Sequence, residues 1–156
     1  MLLKLRQRMA SEESGFTLVE LLVVMLILGL LAAIAIPSFF NQRDKAKDAD
    51  AKELVRTAQT AMETYATDHG GKYTGATAAD LINIEATLNN ADGGDNSGNG
   101  DALTLPVAPT DDTYTVRVDS ATGNNFRISR ATTGVVTLSC STGGQDGCPS
   151  GGNWGG

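Results

Sequence analysis

Residues 15–39 read GFTLVELLVVMLILGLLAAIAIPSF, and the stretch 16–40 holds 20 Ala, Val, Ile, Leu, Met or Phe in 25 positions with one charge, Glu20. A helix of that length rises about 37 Å, more than the ~30 Å hydrocarbon core of a bilayer. Apolar residues occupy every face rather than one stripe, so the pattern predicts a spanning helix and not one buried in a soluble core. Lys4, Arg6 and Arg8 precede it, and positive charge beside a spanning segment is normally kept on the cytoplasmic side. The remainder of the chain is therefore expected to be exported. The polar block 10–15 stands before the apolar run and no A-x-A-like site follows it, so the run is expected to stay in the protein, unlike a secretory signal.

Around this segment the composition splits. The 156 residues admit one ordinary domain, and of 18 glycines 16 lie at or beyond position 70. Residues 1–69 carry 8 basic and 9 acidic groups and residues 70–156 carry 4 and 9, within a net charge of -6. An acidic distal part offers no basic patch for nucleic acid or an anionic membrane. No phosphate-binding glycine pattern opens a helix, and the single histidine, His69, has no nucleophile or metal-ligand set around it in sequence. The expectation is a protein that is not an enzyme.

Glu20 is the exception inside the apolar run, since an ionised carboxylate costs roughly 2.5–3.5 kcal/mol at the centre of a spanning helix and less near its end. Its neighbours three and four residues away are Phe16, Thr17, Val23 and Val24, none of them a cation. Two readings follow: the carboxyl snorkels or stays protonated near the interface, or it meets a cation from elsewhere.

The stretch 15–39 resembles the N-terminal signature of type IV pilins and of the related pseudopilins of type II secretion. The resemblance implies cleavage by an inner-membrane prepilin peptidase between Gly15 and Phe16, and methylation of the new amino terminus at Phe16. The mature chain would hold 141 residues, and loss of three basic and two acidic leader residues would take its formal side-chain charge from -6 to -7. It also implies that Glu20 serves filament assembly by facing the N-terminal amine of a neighbouring subunit, with intrachain pairing to its own amine as the competitor. Gly29 and Pro37 weaken the helix; the resemblance reads them as points where it extends or unwinds in a filament, the plainer alternative being a modest kink at Pro37 and small-residue packing at Gly29. The implied partners are further copies of the chain in a helical filament, the prepilin peptidase, the inner-membrane assembly platform with its ATPase, minor pilins or pseudopilins, and the lipid bilayer before assembly. The implied location is the bacterial inner membrane, single-pass with a cytoplasmic N-terminus, and then a surface pilus or periplasmic pseudopilus.

Beyond Phe40 the sequence NQRDKAKDADAKELVRTAQTAMETYATDHG contains good helix formers and no proline. The helix is predicted to run from 16 to about 69, ending at Gly70 and Gly71, as a stalk about 80 Å long. Leu54, Ala58, Ala61 or Met62, and Tyr65 form its apolar stripe, while Asp48 and Lys52 are read as a solvent-facing i, i+4 pair. Residues 78–88 are expected to form a short helix with Leu81, Ile84 and Leu88 on one side and Thr77 as cap. Alternation predicts strands at 103–107, 113–119, 125–131 and 135–140, laid over the helical stripe. The fold class is α+β: a leader 1–15, a spanning and filament-core helix 16–40, its exported continuation 41–69, and a connector with a small antiparallel sheet in 70–156.

Asp92, Asp95 and Asp101, with Asn96 and Asn99, form an Asp/Asn/Gly loop; it is read first as solvated and secondly as a weak calcium site, because it lacks the EF-hand spacing. No other cofactor is expected. Cys140 and Cys148 flank a short loop, and an exported compartment favours a disulfide between them over free thiols; the resemblance strengthens this, type IV pilins commonly having a disulfide-bounded C-terminal region. Trp154 is expected either on the sheet, on a neighbouring subunit, or in a frayed tail. The leading function is a pilin polymerising into a surface fibre for adhesion, surface movement or DNA uptake. The alternatives are a major pseudopilin of type II secretion and a monomeric membrane-anchored binding module; the cysteine loop favours the pilin.

Overall fold

The computed structural model describes residues 15–91 and 102–155. The chain divides into two compact units after Phe40. Helix α1 (Leu18–Asp68) supplies elements to both.

In the first unit α1 is apolar all round, with a mean hydropathy of 2.9 over its most apolar 18-residue window. Its large apolar side chains between Phe16 and Phe40 are 48–79% exposed. It is the one helix, among the described residues, long and apolar enough to cross a membrane. Pro37 lies inside the helix without ending it.

In the second unit one face of α1 is buried: Ala51, Val55, Ala58, Met62 and Tyr65 repeat at intervals of three and four, with Ala61 and Ala66 beside them. Val55 is fully buried, and Leu54, expected there, packs only partly buried at the margin. Ala58, Ala61, Met62 and Tyr65 lie on the buried face as expected; only its first position differs, Val55 taking the place of Leu54, and the face continues back through Ala51 to Asp48. The helix ends where Gly70 adopts φ 67° and the Gly71 N–H reaches back to the Ala66 carbonyl at 2.7 Å, a geometry that glycine enters without a Cβ clash.

A short helix α2 (Ala78–Ile84) follows, capped as expected by Thr77, whose hydroxyl accepts from the Asp80 N–H while Asp80 accepts from the Thr77 N–H. It stops earlier than expected. Glu85 is extended, at φ -132° and ψ 98°, and a 3-10 helix resumes over Ala86–Ala91. Leu81 and Leu88 are buried while Ile84, the last residue of the helix before the break, remains 38% exposed.

Four strands form an antiparallel meander, β1 (Ala102–Val107), β2 (Tyr114–Asp119), β3 (Asn125–Arg130) and β4 (Val136–Cys140), in sequential order. Tyr114, Val116, Val118, Phe126 and Ile128 point into the core with Leu103, and the intervening residues form the outer face, as period-two alternation requires. The register pairs Val116 with Ile128 and Val118 with Phe126. Between β1 and β2 it slips from Thr104↔Arg117 to Val107↔Thr115, at Pro106, which has no N–H to give the ladder. The Cys140–Cys148 disulfide is formed, with Cα atoms 5.9 Å apart. After it the tail returns along β4, and Trp154 lies edge-on to Phe126 at 5.9 Å with the Arg56 guanidinium 4.9 Å from its ring. Trp154 therefore packs on the sheet of its own chain.

Candidate assembly site and the acidic residues of the long helix

Three carboxylates on α1 sit in three different settings. Glu20 forms a reciprocal cap with Thr17: the Thr17 N–H and hydroxyl donate to Glu20 Oε2 at 2.9 and 2.7 Å, and the Glu20 N–H donates to Thr17 Oγ1 at 3.2 Å. The first helical turn thus starts after Thr17, two residues later than expected, because the T-x-x-E spacing closes two otherwise orphaned donors. Glu20 has a hydrogen-bond partner on its own helix, where the sequence reading found only the absence of a cation. Gly15 and Phe16 precede the cap, and a Cβ added at Gly15 or at Gly29 would meet nothing within 4 Å. Within a single chain, neither glycine is demanded by close packing.

Asp48 is fully buried. Its Oδ1 accepts from the hydroxyls of Ser120 at 2.7 Å and Thr122 at 2.5 Å, and its Oδ2 accepts from Asn124 Nδ2 at 2.8 Å and the Gly147 N–H at 2.9 Å. The donors come from the β2–β3 turn and from the disulfide loop. Burial works against its charge, but the bonds from Thr122, Ser120, Asn124 and Gly147 outweigh that and hold the carboxyl below the usual aspartate range. Lys52, one turn on, does not pair with Asp48: its Nζ donates to the Gly147 carbonyl at 2.5 Å and stands 5.2 Å from the Phe126 ring centre. The expected surface pair is thus corrected to two side chains that grip one residue of the loop at its two ends.

Glu63 accepts from the hydroxyls of Tyr73 at 2.7 Å and Tyr114 at 2.9 Å. The two rings meet edge to face at 4.7 Å, and the Arg130 guanidinium lies 5.7 Å from the Tyr73 ring. Burial, and then the Glu63 carboxylate, push the Tyr73 hydroxyl up to about 12 and raise Tyr114 by the same two causes.

Glu63 carries no expectation from the sequence, and Asp48 is expected on the solvent side with Lys52, whereas it is buried. The signal for Asp48 is its place on the buried heptad, seven residues before Val55 and fourteen before Met62: a carboxylate on an apolar stripe needs donors. Asp92, Asp95 and Asp101, the calcium candidates, lie outside the described residues.

A family profile described as a prokaryotic N-terminal methylation motif matches residues 11–36, the segment holding Gly15, Phe16, Glu20 and Gly29. The chain is 32% identical over 108 residues to the type IV major fimbrial protein FimA of Dichelobacter nodosus, covering 67% of this chain and 69% of that protein. It is 40% identical over 58 residues to the type II secretion system core protein G of Pseudomonas aeruginosa, covering 37% and 41% of the two chains. It is 41% identical over 61 residues to the prepilin peptidase-dependent protein D of Escherichia coli K12, covering 39% and 42%. The chain thus spans about two-fifths of the length of these last two relatives. No solved structure matches it. A spanning-length helix carrying a methylation motif is followed by a small antiparallel sheet packed on its distal half, a pilin-like α+β arrangement. The chain belongs to the type IV pilin family.

Proposed function

We propose that this chain is synthesised as a precursor, cut between Gly15 and Phe16, methylated at Phe16, and polymerised through the first part of α1 into a surface pilus. The observation that carries the pilus reading is the 108-residue likeness to a fimbrial protein, which is longer than α1 and so reaches into the head. Before assembly the apolar side chains of α1 are placed in the bacterial inner membrane, with Lys4, Arg6 and Arg8 on the cytoplasmic side. In the fibre the same side chains bury against other copies.

Glu20 is the polar element of that contact. Its Oε2 is occupied by Thr17, and Oε1 is available to the methylated amine that cleavage creates on a neighbouring subunit. A cation and a carboxylate brought together in an apolar bundle offset costs that each alone would incur. The platform, its ATPase, the peptidase and minor subunits are the proposed machinery.

The test compares parent and Glu20→Ala in the same cells, with membrane-bound subunit and sheared surface fibres measured together. The expected result is parental subunit level with at least a tenfold loss of fibres, and a mature N-terminus at methylated Phe16 by mass spectrometry. Parental fibre yield, or a chain beginning elsewhere, would refute the proposal. A second reading, a pseudopilin of type II secretion, is favoured by the likeness to core protein G. A deletion strain that keeps its surface fibres but fails to release folded proteins would select it.

A further inference from the structure

Gly147 stands where two constraints meet. On one side it neighbours Cys148, which is 3% exposed and bonded to Cys140 at the end of β4. On the other, its N–H donates to Asp48 and its carbonyl accepts from Lys52, residues one turn apart on α1. The approach is close enough that a Cβ at Gly147 would stand 2.6 Å from the Asp48 Cβ and 3.1 Å from its Oδ2. A second loop residue is tied to the same centre, since Asn124 Nδ2 also reaches the Gln145 carbonyl at 3.5 Å. The other three donors to Asp48 belong to the β2–β3 turn, which the sheet positions regardless of the loop. Of the four donors to Asp48, the Gly147 N–H alone is supplied by the loop itself.

We propose that the Cys140–Cys148 disulfide and the Asp48–Lys52 grip on Gly147 form one coupled redox latch: oxidation delivers Gly147 to the helix, and the grip in turn resists reduction of the bond. This inference goes beyond filament formation and does not depend on it. With the disulfide closed, the eight-residue separation of Cys140 and Cys148 leaves Gly147 little freedom to lose on docking. With it open, the loop must be ordered before the same contacts form, and that entropy opposes docking. Coupling between two equilibria is reciprocal, so whatever the disulfide adds to docking, docking adds to the disulfide. In the step itself, dithiothreitol gives two electrons and two protons to the Cys140–Cys148 bond, leaving two thiols and its own cyclic disulfide.

The experiment titrates the full chain in detergent micelles with mixtures of reduced and oxidised dithiothreitol, alkylates, and counts free thiols by mass. Asp48→Asn is expected to shift the equilibrium about tenfold toward the dithiol, equivalent to about 30 mV for a two-electron couple. Lys52→Met, which leaves Asp48 in place, is expected to shift it in the same direction by roughly two- to fivefold, because one grip is lost and the other kept. Tyr114→Phe removes a hydrogen bond to Glu63 away from the loop and is expected to titrate within twofold of the parent. All chains are expected to coincide in concentrated urea. The latch is overturned if Lys52→Met titrates with the parent, if Tyr114→Phe shifts as far as Asp48→Asn, or if the differences persist in urea. Should Asp48→Asn not fold, the Lys52→Met and Tyr114→Phe comparison decides alone.

Discussion

Replacing Asp48 by alanine removes the acceptor on which four hydrogen bonds converge in a fully buried site. The Ser120 and Thr122 hydroxyls already lie 3.2 Å apart and can bond each other. The Asn124 amide and the Gly147 N–H then lack their acceptor, at about 1–3 kcal/mol each. With the small cavity added, the expected loss at neutral pH is about 3–5 kcal/mol, a large part of the ~5–15 kcal/mol that holds a typical domain together. Urea unfolding in micelles, followed by the fluorescence of the single tryptophan, Trp154, reads it directly, because Trp154 packs on Phe126. Asp50→Ala, on the exposed side of the same turn, is expected to stay within about 0.5 kcal/mol of the parent. The pH dependence adds a sign. The Asp48 carboxyl titrates below its ordinary value of 3.8 in the folded chain, so its stabilisation is present above pH 3.8 and is lost as pH falls through the lowered folded value. Asp111, also lowered by its Lys72 and Thr74 partners, contributes equally to both chains and cancels in the difference. A loss under ~1 kcal/mol at neutral pH, or a difference undiminished in acid, would refute this account.

Gly147→Ala should cost roughly 1–3 kcal/mol, since its Cβ would fall 2.6 Å from that of Asp48. Gly151→Ala, where a Cβ meets nothing within 4 Å, is expected to be neutral in the same unfolding assay. Ultraviolet titration of the tyrosines should find Tyr73 ionising near 12 and Tyr114 later. Glu63→Gln should bring Tyr73 down only part of the way, because burial is the larger cause of its shift. Stability held by these two hydroxyls is complete below pH about 10 and declines as pH rises toward their folded values.

The features written in short-range pattern were legible before the fold was known. The apolar run, the Thr77 cap and the alternation of Tyr114, Val116 and Val118 each need only a few neighbours to be read. Asp48 was misread for the complementary reason. Lys45, Lys47, Asp50, Lys52 and Glu53 surround it in sequence, the look of a solvated turn, whereas its partners lie 72 to 99 residues away. Glu63 is alike, its tyrosines being 10 and 51 residues distant. The early stop of the short helix was not legible either, because a helical wheel over 78–88 assumes an unbroken helix, and Glu85 breaks it. Glu20 differs again: its partner Thr17 lies only three residues away, and the bonds between them need no cation.

The tail beyond the disulfide has a consequence for how copies meet. Cys140 donates to the Gly152 carbonyl at 2.8 Å, Ser139 bridges Asn153, and Trp154 Nε1 donates to the Ser139 carbonyl at 2.9 Å. The outer rim of β4 is therefore covered at its Ser139–Cys140 end, while at the opposite rim Pro106 interrupts β1. Both interruptions shorten the ladder on which a second sheet could zip, which narrows the strand-to-strand route to aggregation between crowded heads. Cutting the chain at residue 151 would uncover that end of β4 and leave a longer open edge on every copy, and an affinity tag fused to the C-terminus would load this same seam.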